Sequence, residues 1–231
     1  MQLIPAIDLL GTDAVRLEQG DFARVLFRYP LEEFVAAVVA TAPSFVHVVD
    51  LQGARDGELR EEIVARCVAA ADPIPVQVSG GVRSVDAARR ALARGAARVI
   101  VGTAAWSSPS SLDAFAYALG DRLVVALDVR DGEIATRGWT ASSGLSVDDA
   151  LARCREAGVV RVHVTAIDRD GTMGGPDLDL YRRVCASGLA VVAAGGVRHD
   201  ADVEDLAACG CEAAVMGVGY LSRLDLPSPT T

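Results

Sequence analysis

A closed (β/α)8 TIM barrel with a twofold half-barrel repeat is the fold this chain predicts, and three observations carry it. The first is an internal repeat: Val78 to Ser84 reads VSGGVRS, and 115 residues later Ala193 to His199 reads AAGGVRH. Three more pairs recur in the same order. LIPAIDLL (3–10) is answered by LVVALDVR (123–130), VHVVDLQGARDG (46–57) by VHVTAIDRDG (162–171), and RVIVGTAAW (98–106) by AAVMGVGYL (213–221). A period this long exceeds that of solenoid units, so the repeating object is half a domain. The second observation is a set of short apolar runs without alternation, as in strands buried on both faces. The third is helical spacing of apolar residues between them. Strand and helix in alternation allow a doubly wound sheet or a barrel, and four strands per half decide for the barrel.

The elements follow in chain order. Strands are expected at Leu3–Ile7, Phe45–Val49 and Pro75–Val78, each rich in small and β-branched residues. Ser84–Arg94 reads as a helix, with Ser84 as N-cap, Val85, Ala88 and Leu92 on one face and Gly95 past its end. Arg98–Val101 and Leu123–Leu127 are the next strands, and Ser146 to Gly158 repeats the helix grammar. Arg161–Val164, Ala190–Ala193 and Ala213–Met216 complete eight strands. After Met216 an eighth helix is due, yet LSRLDLPSPTT carries Pro227 and Pro229, which cannot sit inside one. The outer ring is expected to be incomplete. The reading is one barrel over 1–231, with halves of approximately 1–120 and 121–231.

Composition bounds the function. Of 231 residues, 51% are apolar, enough for a large core, and the net charge of −9 with no Lys/Arg run disfavours nucleic acid or an anionic membrane as partner. Cys67, Cys154, Cys185, Cys209 and Cys211 are odd in number and form no CxxC pair, which suits reduced packing residues in a cytoplasmic protein. His47, His163 and His199 lack metal-ligand spacing, so no metal is expected. Nothing before the first strand reads as a signal, and no apolar stretch reaches the length of a membrane span. A soluble protein is expected, monomeric, with self-association at the edge lacking the last helix as the alternative.

In a (β/α)8 barrel every loop after a strand lies on one face, so Asp8, Asp50, Gly81, Gly102, Asp128, Thr165, Gly196 and Gly217 should converge. Gly80–Gly81 and Gly195–Gly196 each follow a strand and precede a helix, and Gly102 and Gly217 do so one strand later. Glycines there let backbone N–H groups approach an oxyanion at a helix N-terminus. Either pair alone reads as a tight turn; two pairs related by symmetry imply two anion sites, one at Gly81, Gly102 and Thr103, the other at Gly196, Gly217 and Val218. The ligand implied is an elongated bisphosphate. Asp8 and Asp128 are symmetry partners at strand ends, where an ionised carboxylate is costly unless paired or used. Asp170 belongs to DGT, which is also ordinary turn chemistry, and Asp50 admits a structural role. Arg16, Arg83 and Arg137 are candidates for the ligand's anionic ends, against the commoner fate of a solvated arginine. Trp139 can stack on a flat heterocycle or plug the barrel mouth.

PAIDLLGTDAVRLEQGD, HVVDLQGA, SGGVRS, VIVGTAA, ALDVRDG, RGWT, DRDGTMGGPDLDL and AAGGV, in this order along nearly the whole chain, resemble the ProFAR isomerases of histidine biosynthesis, including their bifunctional actinobacterial form. The cyclase subunit of imidazole glycerol phosphate synthase shares the half-barrel repeat but carries a lysine-containing segment where this chain has AVRLEQGD. The resemblance implies an Amadori rearrangement without cofactor. It implies that Asp8 is the general base, Asp170 the acid that opens the ribose ring, and Asp128 and Thr165 groups that orient the substrate. Ser79 and Arg137 look like the bifunctional form, which also isomerises phosphoribosyl anthranilate. The loop DFARVLFRYP resembles the histidine-only type, and QGARDGELREE neither. Ala194 stands where the family usually has Ser, Val218 where it has Lys, and Ala166 where it has Asp; the first two changes weaken the second anion site.

Overall fold

The eight apolar runs form a ring of parallel strands because each has two faces to bury. In the computed structural model, which describes residues 1–18 and 21–226, the ring consists of β1 (Gln2–Leu10), β4 (Val46–Asp50), β5 (Val76–Ser79), β6 (Arg98–Val101), β7 (Leu123–Arg130), β10 (Arg161–Ala166), β11 (Ala190–Ala194) and β12 (Ala213–Met216). Pairing of β12 with β1, from Gln2 opposite Ala213 to Pro5 opposite Met216, closes it. One set of side chains, including Ile7, Leu9, Val48 and Val78, packs outward with Phe34, Val38 and Ile63 of the helices. The other set points inward, where Ile4, Val192 and Val215 form one small cluster and Ile100, Val124 and Ala126 another. Two buried faces explain why the runs do not alternate.

The outer layer follows the capping signals. In α4 (Val85–Ala93), Ser84 accepts a hydrogen bond from the Ala87 N–H. In α6 (Val147–Glu156), Ser146 accepts one from Asp149. The helices α1 (Leu31–Val39), α3 (Glu61–Ala71), α5 (Ser111–Leu119), α7 (Leu178–Cys185) and α8 (Asp200–Ala208) complete the ring, with α2 (Leu51–Asp56) a short turn ahead of α3. Among the described residues no α-helix follows β12. A 3-10 segment, Val218–Arg223, takes its place, and Leu221, Leu224 and Leu226 pack on the core. Pro227 and Pro229 lie outside the described residues.

Four further strands correct the sequence reading. β2 (Asp13–Glu18) and β3 (Asp21–Pro30) extend from β1 as an antiparallel hairpin, and β8 (Glu133–Thr136) and β9 (Ala141–Ser146) extend likewise from β7. DFARVLFRYP is therefore a strand rather than a loop. The aromatic cluster of Phe27, Tyr29 and Phe34, with centroids 5.5 to 6.2 Å apart, supplies the apolar anchor that holds it. Each hairpin stands on the first strand of a repeat unit, above the same end of the barrel.

Candidate active site

The C-terminal ends of the strands open onto a cavity of about 760 Å³. Its lining includes Asp8, Asp128, Asp170, Arg16, Ser79, Arg83, Thr103, Arg137, Trp139 and Thr165, together with Gly81, Gly102, Gly196 and Gly217. Asp50 is the one expected member that does not reach it. It is 1% exposed, caps α2 by accepting from the Gly53 N–H and pairs with Arg60 at 2.6 Å, so its place is structural.

Strand register fixes the carboxylates. Asp8 sits on β1 level with Val49, and Asp128 on β7 level with Thr165. Burial raises the Asp8 carboxyl to about 6; Arg16 at 3.2 Å pulls it back down, and the nearby Asp170 charge pushes it up. Asp128 is also raised by burial, against hydrogen bonds from Thr165 and Trp139 that favour its ionised form. Asp170 is raised by burial, with Arg16 acting in the opposite sense. Three carboxyl groups thus share a poorly hydrated mouth, and each is pushed towards holding its proton.

The paired glycines have a packing reason as well as a chemical one. Gly80 and Gly81 adopt φ of 94° and 73°, and Gly195 and Gly196 adopt 95° and 79°. A Cβ on Gly195 would stand 2.6 Å from the Ala166 carbonyl oxygen, and one on Gly80 would collide with that of Asp50, its symmetry counterpart. Each diglycine lets one βα turn nest against the turn before it. Gly102 and Gly217 precede 3-10 segments, Thr103–Trp106 and Val218–Arg223, rather than the expected α-helices.

The arginines separate in the structure. Arg16, on β2, lines the cavity, is paired with Asp8 and is only 16% exposed. Arg83 donates to the Ala54 carbonyl at 3.2 Å. Arg137 is exposed at the tip between β8 and β9, its N–H donating to Thr103 Oγ1 at 2.9 Å. That tip is wound left-handed at three consecutive residues, with φ of 55° at Arg137, 63° at Gly138 and 69° at Trp139.

Residues 2–223 match the model of the family described as histidine biosynthesis protein. This chain belongs to that family. Among curated relatives, the 1-(5-phosphoribosyl)-5-((5-phosphoribosylamino)methylideneamino)imidazole-4-carboxamide isomerase of Thermomicrobium roseum is 43% identical over 221 residues, covering 94% of this chain and 91% of its own. Proteins of the same name from Acidothermus cellulolyticus and Synechococcus sp. strain JA-3-3Ab are 41% and 38% identical, over 94% and 98% of this chain and 91% and 88% of theirs.

Within this histidine biosynthesis barrel, Ala194 and Val218 both line the cavity beside Gly217, so that side of the mouth carries no polar side chain at these two positions. A polar floor was missed by the sequence reading. One layer below the carboxylates, His47 and His163 stack with centroids 5.0 Å apart, and Gln77 Nε2 lies 3.3 Å from His47 Nδ1. The signal was present: His47 and His163 occupy equivalent positions in the repeated VHV, three residues before the strand ends. Phe22, Leu51, Arg55 and Met173 were also missed, because hairpin and loop residues over the mouth carry no strand-end signature.

Proposed function

We propose that this protein is the ProFAR isomerase of histidine biosynthesis, catalysing the Amadori conversion of an aminoaldose bisphosphate to its aminoketose. One observation carries the reading: Asp8, Asp128 and Asp170 gather over one barrel mouth, flanked by two symmetry-related glycine cradles, in a chain of this family. Asp170 gives its proton to the ribose ring oxygen as the C1–O bond breaks, and the amino nitrogen's lone pair forms the C1=N iminium. Asp8 then takes the C2 proton. The C2–H electrons form the C1=C2 bond, the iminium becomes a neutral enamine, and tautomerisation of the enol gives the ketone.

Environment suits the roles. A carboxyl raised to about 6 is mostly ionised at neutral pH and is a stronger base than an ordinary aspartate. Burial favours the protonated form that Asp170 needs. Asp128 and Thr165 orient the sugar, and Ser79, Arg83, Thr103, Arg137 and Trp139 contact substrate on the other side of the mouth. General acid–base catalysis supplies roughly 100- to 10,000-fold; the rest comes from holding both phosphates so that the reacting carbons stay between Asp8 and Asp170.

The reading includes one barrel over 1–231, acting as a monomer in the cytoplasm without metal, nucleotide or macromolecular partner. Among the described residues no helix is long and apolar enough to cross a membrane. The relatives named above carry one isomerase name, and phosphoribosyl anthranilate does not enter the proposal. Chelator-treated, folded protein is expected to convert ProFAR to its ribulosyl isomer, followed by absorbance or mass-resolved chromatography. No conversion would overturn the reading.

A further inference from the structure

Arg16 is placed between two partners. Its Nη1 is 3.2 Å from Asp8 Oδ2, and a Cβ on Gly217 would stand 3.2 Å from the same Nη1. Its Nε is buried and has no hydrogen-bond partner among the described residues. Of the other cavity-lining arginines, Arg55 is paired with Asp56 and Arg83 donates to the Ala54 carbonyl, while Arg137 stands at the β8–β9 tip, where its backbone N–H donates to Thr103. Around Gly217 the lining side chains of Ala194 and Val218 are apolar. An anionic group arriving at Gly217 therefore meets the guanidinium that also neutralises Asp8.

We propose that Arg16 is shared between base and substrate: it pairs with Asp8 until the substrate phosphate seated at Gly217 draws it away, leaving Asp8 unpaired to take the proton. The inference rests on the isomerase reading and deepens it, because it makes substrate binding the trigger for the base. A phosphate dianion competes well for a guanidinium against a single carboxylate, offering more acceptor oxygens and more charge. Withdrawal acts on both catalytic groups in the useful direction. Arg16 holds down the proton affinity of Asp8 and of Asp170, so its departure makes the first a stronger base and keeps the second protonated. The other groups facing Asp8 do not substitute for it. Asp170 is anionic when ionised, Asp128 across the mouth likewise, and His47 and His163 beneath are kept neutral by burial.

The test compares pH profiles, since kcat/KM reports the free enzyme and kcat the substrate complex. In the wild type the acid limb of kcat/KM is expected about one unit or more below that of kcat. In Arg16→Ala the kcat/KM limb rises to meet it, and Arg16→Lys keeps part of the gap. Coincident limbs in the wild type, or an undiminished gap in Arg16→Ala, would overturn the proposal. Carboxyl 13C NMR of Asp8, with inorganic phosphate as the probe, is independent of turnover. Saturating phosphate raises the Asp8 titration in the wild type and less in Arg16→Lys; equal shifts refute the sharing. A wild type that does not turn over ProFAR refutes the isomerase reading instead, while the phosphate titration still decides whether Arg16 is shared.

Discussion

The imidazoles of His47 and His163 stack across the barrel floor with centroids 5.0 Å apart and planes at 21°, one contributed by each half of the repeat. Burial brings His163 to about 4 and pushes His47 well below its usual range, with the neighbouring ring adding to the effect. Between about 4 and 6.5 the unfolded chain holds protons that the folded one refuses, so stability is intact above that window and is lost as pH falls through it. For His163 alone the full loss is about 3 kcal/mol. The raised carboxylates oppose it, so the comparison is with a His47→Gln, His163→Gln double variant. Urea midpoints at pH 7.5 and pH 4.5 are expected to differ more in the wild type than in the variant; equal differences would mean the pair does not control acid stability.

Asp8 carries the opposite sign. Its folded value of about 6 lies above the ordinary 3.8, so ionising it costs stability above pH 6, and the cost vanishes as pH falls through 3.8. Asp8→Asn is expected to lower kcat by about 100-fold or more, because an amide cannot accept the C2 proton. Its melting temperature at pH 8 should be no lower than that of the wild type, even though Arg16 loses its partner, and any advantage should shrink at pH 4. Near-normal turnover would reassign the base, and a large stability loss at pH 8 would mean the Arg16 pair outweighs the burial of the charge.

The eight barrel strands were legible because burial on two faces leaves continuous apolar runs, and Arg98–Val101 and Ala213–Met216 match to the residue. Helix starts were legible from Ser84 and Ser146, whose hydroxyls cap through local geometry. The hairpins were not. β2, β8 and β9 mix charged, glycine and serine residues and take their register from β1 and β7, a long-range relation that no local pattern records. The candidate site was legible to the extent that strand ends project to one face. Asp50 shows the limit: it ends a barrel strand as a site residue would, but Arg60, ten residues on, turns it into a buried cap. Arg16 was legible as a candidate but its pairing with Asp8 was not, since that contact is set by hairpin pairing.

Two anion cradles of unequal strength are predicted from Ala194 and Val218. Both side chains line the mouth beside Gly217, whereas Thr103 supplies a hydroxyl next to Gly102. Each charge-assisted hydrogen bond missing from the second cradle is worth roughly 1.5–3 kcal/mol. Sulfate soaked into crystals should fill the cradle at Gly81, Gly102 and Thr103 at lower concentration than the one at Gly196 and Gly217. Val218→Lys should lower the KM for ProFAR about 10-fold. Reversed occupancy, or an unchanged KM, would show that backbone N–H groups and Arg16 already saturate the second site.

Trp139 holds a left-handed backbone at a cost of about 1–3 kcal/mol, and several bonds stabilise that conformation. Arg130 Nη1 donates to its carbonyl at 3.0 Å, Thr140 Oγ1 donates to the Arg137 carbonyl at 2.7 Å, and the indole bonds to Asp128. The last of these favours ionised Asp128, so removing it should raise that carboxyl further. Trp139→Phe keeps an aromatic ring over the mouth and loses only the N–H. Loss of a hydrogen bond to a charged group, at roughly 1.5–3 kcal/mol, corresponds to a fall in kcat/KM of about 10- to 100-fold. The deficit should deepen as pH is lowered from 8 to 6, because Asp128 in the variant takes its proton at higher pH. A pH-independent deficit would assign Trp139 to ring stacking on the substrate, with no part in the state of Asp128.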